Sequence, residues 1–186
     1  PAAGKSIAVL PFENLSPDPA NAFFADGMHE EVLTALNSIH DLRVVSRTSV
    51  LGYRATTKAA AQIGRELGVT YLLEGTVRRD GAKIRFTSNL IDARTDTQVL
   101  TKTYDRDFTD IFAIQSELAQ AIAGALSAAI LPEAKRQLDR RPTKNLAAYE
   151  QFLKGREQRN SGLSRGKTIA AEKIFQRAVD LDPGFA

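Results

Sequence analysis

Apolar positions change their spacing several times along the chain, and each change marks an element. The run Ile7-Ala8-Val9-Leu10-Pro11-Phe12 is continuously apolar and closes on a proline, which predicts a short buried strand. Residues 14–19 carry turn chemistry. Phe24, Met28, Val32, Leu36 and Ile39 then recur every three or four positions, one stripe of a helix over 21–38. Gly27 inside that helix costs about 1 kcal/mol against alanine, so it implies close packing against a neighbour. Residues 42–51 are rich in Val, Ser and Thr and predict a second strand. A short helix capped by Thr57 carries Ala60, Ile63, Gly64 and Leu67 and stops at Gly68.

The period then becomes two. Residues 69–78 and 83–92 are strands joined at Asp80-Gly81, a strong hairpin signal. Ile84, Phe86, Ser88 and Leu90 alternate with Arg85, Thr87 and Asn89, so one face of the hairpin meets solvent. A turn over 93–97 leads to a third strand at 98–104. From 110 the helical period returns through Ile114, Leu118, Ile122 and Leu126 and runs to Pro132. This order predicts an α/β fold: a two-layer mixed sheet with helices on one face, over residues 1–132. A basic linker follows at 133–145. Residues 146–186 read as an all-α helix pair, 146–159 and 168–181, with small residues at the crossing. Such a pair is a repeat unit, and more repeats are needed to bury both its faces.

Composition adds limits. Of 186 residues, 43% are hydrophobic and 25% charged, so a folded core is the default. No cysteine is present, which removes disulfides, thiolate metal sites and cysteine nucleophiles together. No apolar stretch approaches the roughly 20 residues of a spanning helix. The first residue is not Met and the last are Pro183-Gly184-Phe185-Ala186, so both ends are expected to continue in a longer protein.

The net charge of +3 is unevenly placed. From Glu133 onward 12 Lys or Arg face 7 Asp or Glu, whereas residues 1–132 hold 13 against 15. The excess clusters at Lys135, Arg136, Arg140, Arg141 and Lys144. Nucleic acid or anionic lipid is one reading of that cluster, and a solvated connector the favoured one. No aromatic residue interleaves it, so stacked bases have no platform and nucleic-acid binding is not expected.

No catalytic constellation emerges. Gly4-Lys5-Ser6 imitates the end of a phosphate loop but precedes a strand instead of opening a helix. His29-Glu30-Glu31 resembles a zinc-protease helix, yet the second ligand position is Leu33. Asp26, Glu30 and Glu31 therefore read as a solvated helix face. Glu74 and Asp92 are two carboxylates without a histidine, nucleophile or oxyanion donor beside them. The binding candidates are Glu74, with room beside Gly75, and Arg47 and Arg78 as nearby charge. A salt-bridged sheet surface accounts for the same three residues. The outer edge of the meander could accept a partner strand, although Arg85, Lys102 and Asp105 suit a guarded edge.

Several of these runs occur together in one known family. Ile7 to Ser16, then Phe24-Ala25-Asp26-Gly27-Met28 with Glu30-Glu31, Arg65-Glu66-Leu67-Gly68-Val69, Tyr71 to Arg78, Leu90-Ile91-Asp92-Ala93 and Tyr104-Asp105-Arg106 resemble the TolB amino-terminal-like (FlgO-like) domain in order and spacing. Ala171, Phe175, Ala178 and Pro183 resemble the second helix of a tetratricopeptide repeat. Gly155 matches its first helix when the loop is about four residues longer than usual. In such proteins a class III adenylate or guanylate cyclase domain, or a CadC-type winged helix, stands upstream, often with a transmembrane helix between. The resemblance implies a non-catalytic sensing or protein-interaction segment, with no cofactor or metal and with protein partners at the sheet edge or the repeat surface. It implies a periplasmic or membrane-tethered place, with the cytoplasm as the alternative. A regulatory portion of a cyclase is the second reading.

Overall fold

The computed structural model describes residues 5–162 and 165–185. Strand β1 (Ser6–Val9) is buried at every position, because apolar layers cover both of its faces. Ile7 and Val9 point into the larger core, Ala8 and Leu10 into a smaller one. Pro11 offers no N–H, and the strand breaks there. Pairing resumes one bend later as β2 (Glu13–Asn14), parallel to the same neighbour.

Helix α1 (Ala22–Asn37) carries the expected stripe, with Phe24, Met28, Val32 and Leu36 fully buried. Residues 42–51 do not form one strand. Only β3 (Arg43–Val44) pairs with β1, and the chain then coils into α2 (Arg47–Val50). Here tertiary packing overrides local preference: coiling sends Val50 into the smaller core beside Ala8 and Leu72. Helix α3 (Ala60–Leu67) starts from Ala59 rather than Thr57 and ends at Gly68 with φ 63°, the left-handed cap.

The meander forms as expected. Strand β4 (Tyr71–Asp80) pairs with β5 (Lys83–Asp92) around Gly81 and Ala82, and β5 pairs with β6 (Thr97–Asp107). The sheet order is β3-β1-β4-β5-β6, with β2 beside β4, so the parallel half precedes the antiparallel half. Helix α4 (Ile111–Ala125) joins α1 over the larger core. The mixed α/β sheet with its helix layer is thus as expected. In addition, α2 and α3 cover the other face at the parallel end, where β1 is apolar on both sides.

The remaining differences lie after α4. That helix stops at Ala125, and Pro132 opens a further helix instead of closing one: α5 (Pro132–Leu138), with proline in the first turn. The basic stretch is therefore partly helical, with Ala134 and Leu138 buried. Helices α6 (Leu146–Asn160) and α7 (Arg165–Leu181) run antiparallel. Asn145 at the start of α6 donates to the Leu181 carbonyl at the end of α7, 2.8 Å away. Gly155 lets Phe175 approach, for a Cβ there would lie 2.7 Å from its ring. The larger core does not stop at residue 132: Leu138, Tyr149 and Leu153 belong to it.

Candidate functional site

A groove of about 550 Å³ opens on the sheet face away from α1 and α4. Along β4, Leu72, Glu74, Thr76 and Arg78 share that face, and α3 covers only the Leu72 end. One wall is the bend Leu10-Pro11-Phe12, where β1 stops. The other is the segment 53–56, in which Ala55 takes a positive φ of 51°. Glu74, Thr76, Thr87 and Asn89 form the floor.

Glu74 is half-buried, and burial pushes its carboxyl above the ordinary range, with nearby Asp96 adding to the effect. No cation pairs with it among the described residues. Arg54 lines the same groove, but its guanidinium lies 2.6 Å from Asp26 on α1. The room expected beside Gly75 is already taken, since a Cβ there would meet the Phe12 ring at 2.9 Å.

A second polar cluster joins α6 to the α/β layer. Arg156, with its side chain 12% exposed, reaches from α6 to two neighbouring carboxylates of α1. Its Nε lies 2.7 Å from Glu30 Oε2 and one terminal nitrogen 2.7 Å from Glu31 Oε1. The other terminal nitrogen donates to the Gly27 carbonyl at 3.1 Å. Asn160 donates to Glu30 at 2.7 Å, and Arg47 from α2 sits 3.0 Å from the same carboxylate. At the opposite end of α6, Glu150 pairs with Arg79, whose guanidinium covers the Phe108 ring. Next to Glu150 on α6, Tyr149, 1% exposed, packs on Phe112 and accepts from the Gln115 amide at 3.1 Å. Its burial drives the phenol pKa far upward, so it stays neutral.

The structure separates the residues singled out from sequence. Glu74 lies in the groove and Arg47 at the α6 junction. Arg78 is exposed, with Asp80 4.0 Å away. Asp92 pairs with Arg94 and stands opposite Tyr71 in the sheet, not opposite Glu74, so the two carboxylates form no dyad. Asp26, Glu30 and Glu31 are half-buried and ion-paired, not a solvated face. His29 is fully buried with Nε2 on the Val9 carbonyl at 2.9 Å, and among the described residues no three ligand-type side chains gather. Of the charges expected to guard the sheet edge, Lys102 and Asp105 lie on the edge strand β6, whereas Arg85 lies on the inner strand β5 and pairs with Asp105 across the ladder. Gly4 of the phosphate-loop imitation lies outside the described residues. Sequence reasoning missed Arg156, Tyr149 and Arg54. The adjacent Glu30-Glu31 pair on a helix with apolar neighbours was the available signal.

Residues 3–122 match the model of the HilA/YgeH-like transcriptional regulator, second domain. The chain belongs to that family. Over 186 residues it is 36% identical to "Putative adenylate cyclase 3" of Rhizobium meliloti (strain 1021), covering 99% of this chain and 31% of that protein. The HilA-like chain therefore spans about a third of that relative. Among solved structures, TolB from Acinetobacter baumannii superposes with a TM-score of 0.50 at 19% identity, over 68% of this chain and 29% of that one. Lipoprotein GNA1162 from Neisseria meningitidis gives 0.48 at 17%, over 68% and 99%. The TolB likeness is one of fold. Among the described residues no helix is long and apolar enough to cross a membrane.

Proposed function

We propose that this chain is a non-catalytic regulatory segment of a bacterial signalling protein, coupling a sensing α/β layer to a helical arm while the output is generated elsewhere in the polypeptide. One observation carries the reading: Arg156 of α6 shares Glu30 with Arg47 of α2. Segment 53–56, the groove wall, follows α2 after one short 3-10 turn and is tied to α1 by Arg54 and Asp26. A shift of that wall therefore reaches α6 through two ion pairs on one helix, a short contiguous network of the kind that transmits a state change. Membership in a regulator family and likeness to a cyclase-named protein support one module serving different outputs.

In this reading α6 and α7 open a tetratricopeptide array. Ile169, Val179 and Leu181 are exposed on α7, an apolar set that a following repeat would cover. The array surface and the β6 edge then receive protein partners, and the segment sits in the periplasm or tethered to the membrane. The output proposed first is nucleotide cyclisation, with transcriptional control as the second because of the family match.

The test is made in the full-length protein. Arg156→Met and Glu30→Gln should each change cyclase or reporter output while the fold, followed by circular dichroism, persists. Output identical to wild type in both folded variants would overturn the coupling. Membrane fractionation and protease accessibility of intact cells check the location.

A further inference from the structure

An unpaired carboxylate and a run of unpaired cations lie on opposite sides of the molecule. Glu74 lies in its groove with no cation, and Glu13 on the rim is exposed and also unpaired among the described residues. The groove's own cation, Arg54, is held by Asp26. On the other side Lys135, Arg136, Arg140, Arg141 and Lys144 are all exposed, and none forms an ion pair among the described residues. Asp139, the acid within that stretch, accepts instead from Ser116 and Gln120. Leu138 roots this ridge in the core under α1 and α4, whereas Glu74 faces away from that core. The ridge of one molecule is therefore turned away from its own groove.

We propose that the basic ridge of a second copy docks into the Glu74 groove, with an arginine from the Arg140–Arg141 pair meeting the Glu74 carboxylate, so that the site is completed only between two copies. The groove fits such a side chain. Leu10, Pro11 and Phe12 offer an apolar wall for the methylene stem, and the carboxylate accepts a planar guanidinium through two parallel bonds. Burial of Glu74 beside Asp96 adds support, because an incoming cation relieves the cost of ionising that carboxyl. The choice of a second copy rests on charge complementarity within the chain. The positive excess lies wholly after residue 132, and the segment before it is net acidic. Groove and ridge are different patches, so the contact is head-to-tail and yields a ring or an open chain rather than a two-fold dimer. It is independent of the signalling reading.

The test is sedimentation equilibrium of this chain across protein concentration. At about 50 mM salt the average mass should rise with concentration, and at about 500 mM salt it should fall back toward the monomer. Glu74→Gln, and Arg140→Ser with Arg141→Ser, should each weaken self-association about ten-fold or more. Chains carrying E74K should stay monomeric alone, as should chains carrying R140E with R141E, and the two should associate when mixed. The ridge variant changes only exposed side chains, so the test stands even if a Glu74 variant misfolds. A monomer at every concentration in low salt, or association indifferent to the folded variants, overturns the proposal. Ridge-dependent binding of the monomer to duplex DNA or phosphatidylglycerol vesicles would overturn it in favour of a phosphate partner.

Discussion

Gly27 of α1 and Leu153 of α6 are in direct apposition: a Cβ on residue 27 would lie 2.7 Å from Leu153 Cδ2. The glycine that weakens the helix locally is what lets α6 seat on it. Gly27→Ala gains about 1 kcal/mol in helix propensity but forces Leu153 to move within a packed core, at about 1–3 kcal/mol. A net loss of about 1 kcal/mol is expected in urea unfolding. Leu153→Ala alone leaves a cavity, and combined with Gly27→Ala it should lose less than the two single losses added together, which a double-mutant cycle measures.

Arg156 holds the same interface by charge. Its partners Glu30 and Glu31 are themselves only partly exposed, so Arg156→Met leaves Glu31 without its cation and Glu30 with Arg47 alone, in a poorly hydrated place. Loss of a fully buried pair costs about 3–5 kcal/mol, and residual solvent access here reduces that to about 2–3. Arg156→Lys should recover only part of it, since one ammonium cannot span both carboxylates and the Gly27 carbonyl as the guanidinium does. Chemical denaturation of the three proteins at one salt concentration checks the order.

Elements with a strong local period were legible in the sequence. The α1 stripe, the Asp80-Gly81 hairpin and the alternation along β5 depend on spacing alone. Features decided by distant partners were not. Residues 47–50 are β-prone yet coil, because Val50 is needed over Ala8. Pro132 after an apolar helical run suits a stop, yet proline is equally at home at a helix start, and here it opens α5. Glu74 is legible as a binding candidate beside Gly75, but its groove is walled by residues 53–56, which no local pattern connects to β4. Arg156 was one basic residue among many, and only the fold sets it between Glu30 and Glu31.

Ala55 marks a strained groove wall. At φ 51° a side chain is disfavoured by about 1–2 kcal/mol, and glycine pays part of that back through its freer unfolded chain. Ala55→Gly should therefore stabilise the protein by about 0.5 kcal/mol, visible as a higher thermal midpoint. An unchanged or lower midpoint would show that the exposed methyl at residue 55 makes a contact worth more than the strain.

His29 sets a pH dependence of known sign. It is fully buried, with Nε2 donating to the Val9 carbonyl, Nδ1 without a hydrogen-bond partner among the described residues and the Phe12 ring at its edge. Burial lowers its pKa most, and Arg47 opposes a second positive charge, while the Val9 carbonyl, Asp26 and Glu30 pull the other way without prevailing. The folded chain thus keeps His29 neutral over a range in which the unfolded chain, with a pKa near 6.5, takes up a proton. Its stabilising contribution is fully present above that value and is lost as pH falls below it, until the folded-state pKa is reached. Within that window the loss approaches about 1.4 kcal/mol per pH unit. His29→Gln keeps an amide for the Val9 carbonyl and removes the titration, so its urea midpoint should be flatter with pH than that of the wild type. Equal slopes for the two proteins between about pH 7 and pH 5 would mean that His29 takes its proton while folded.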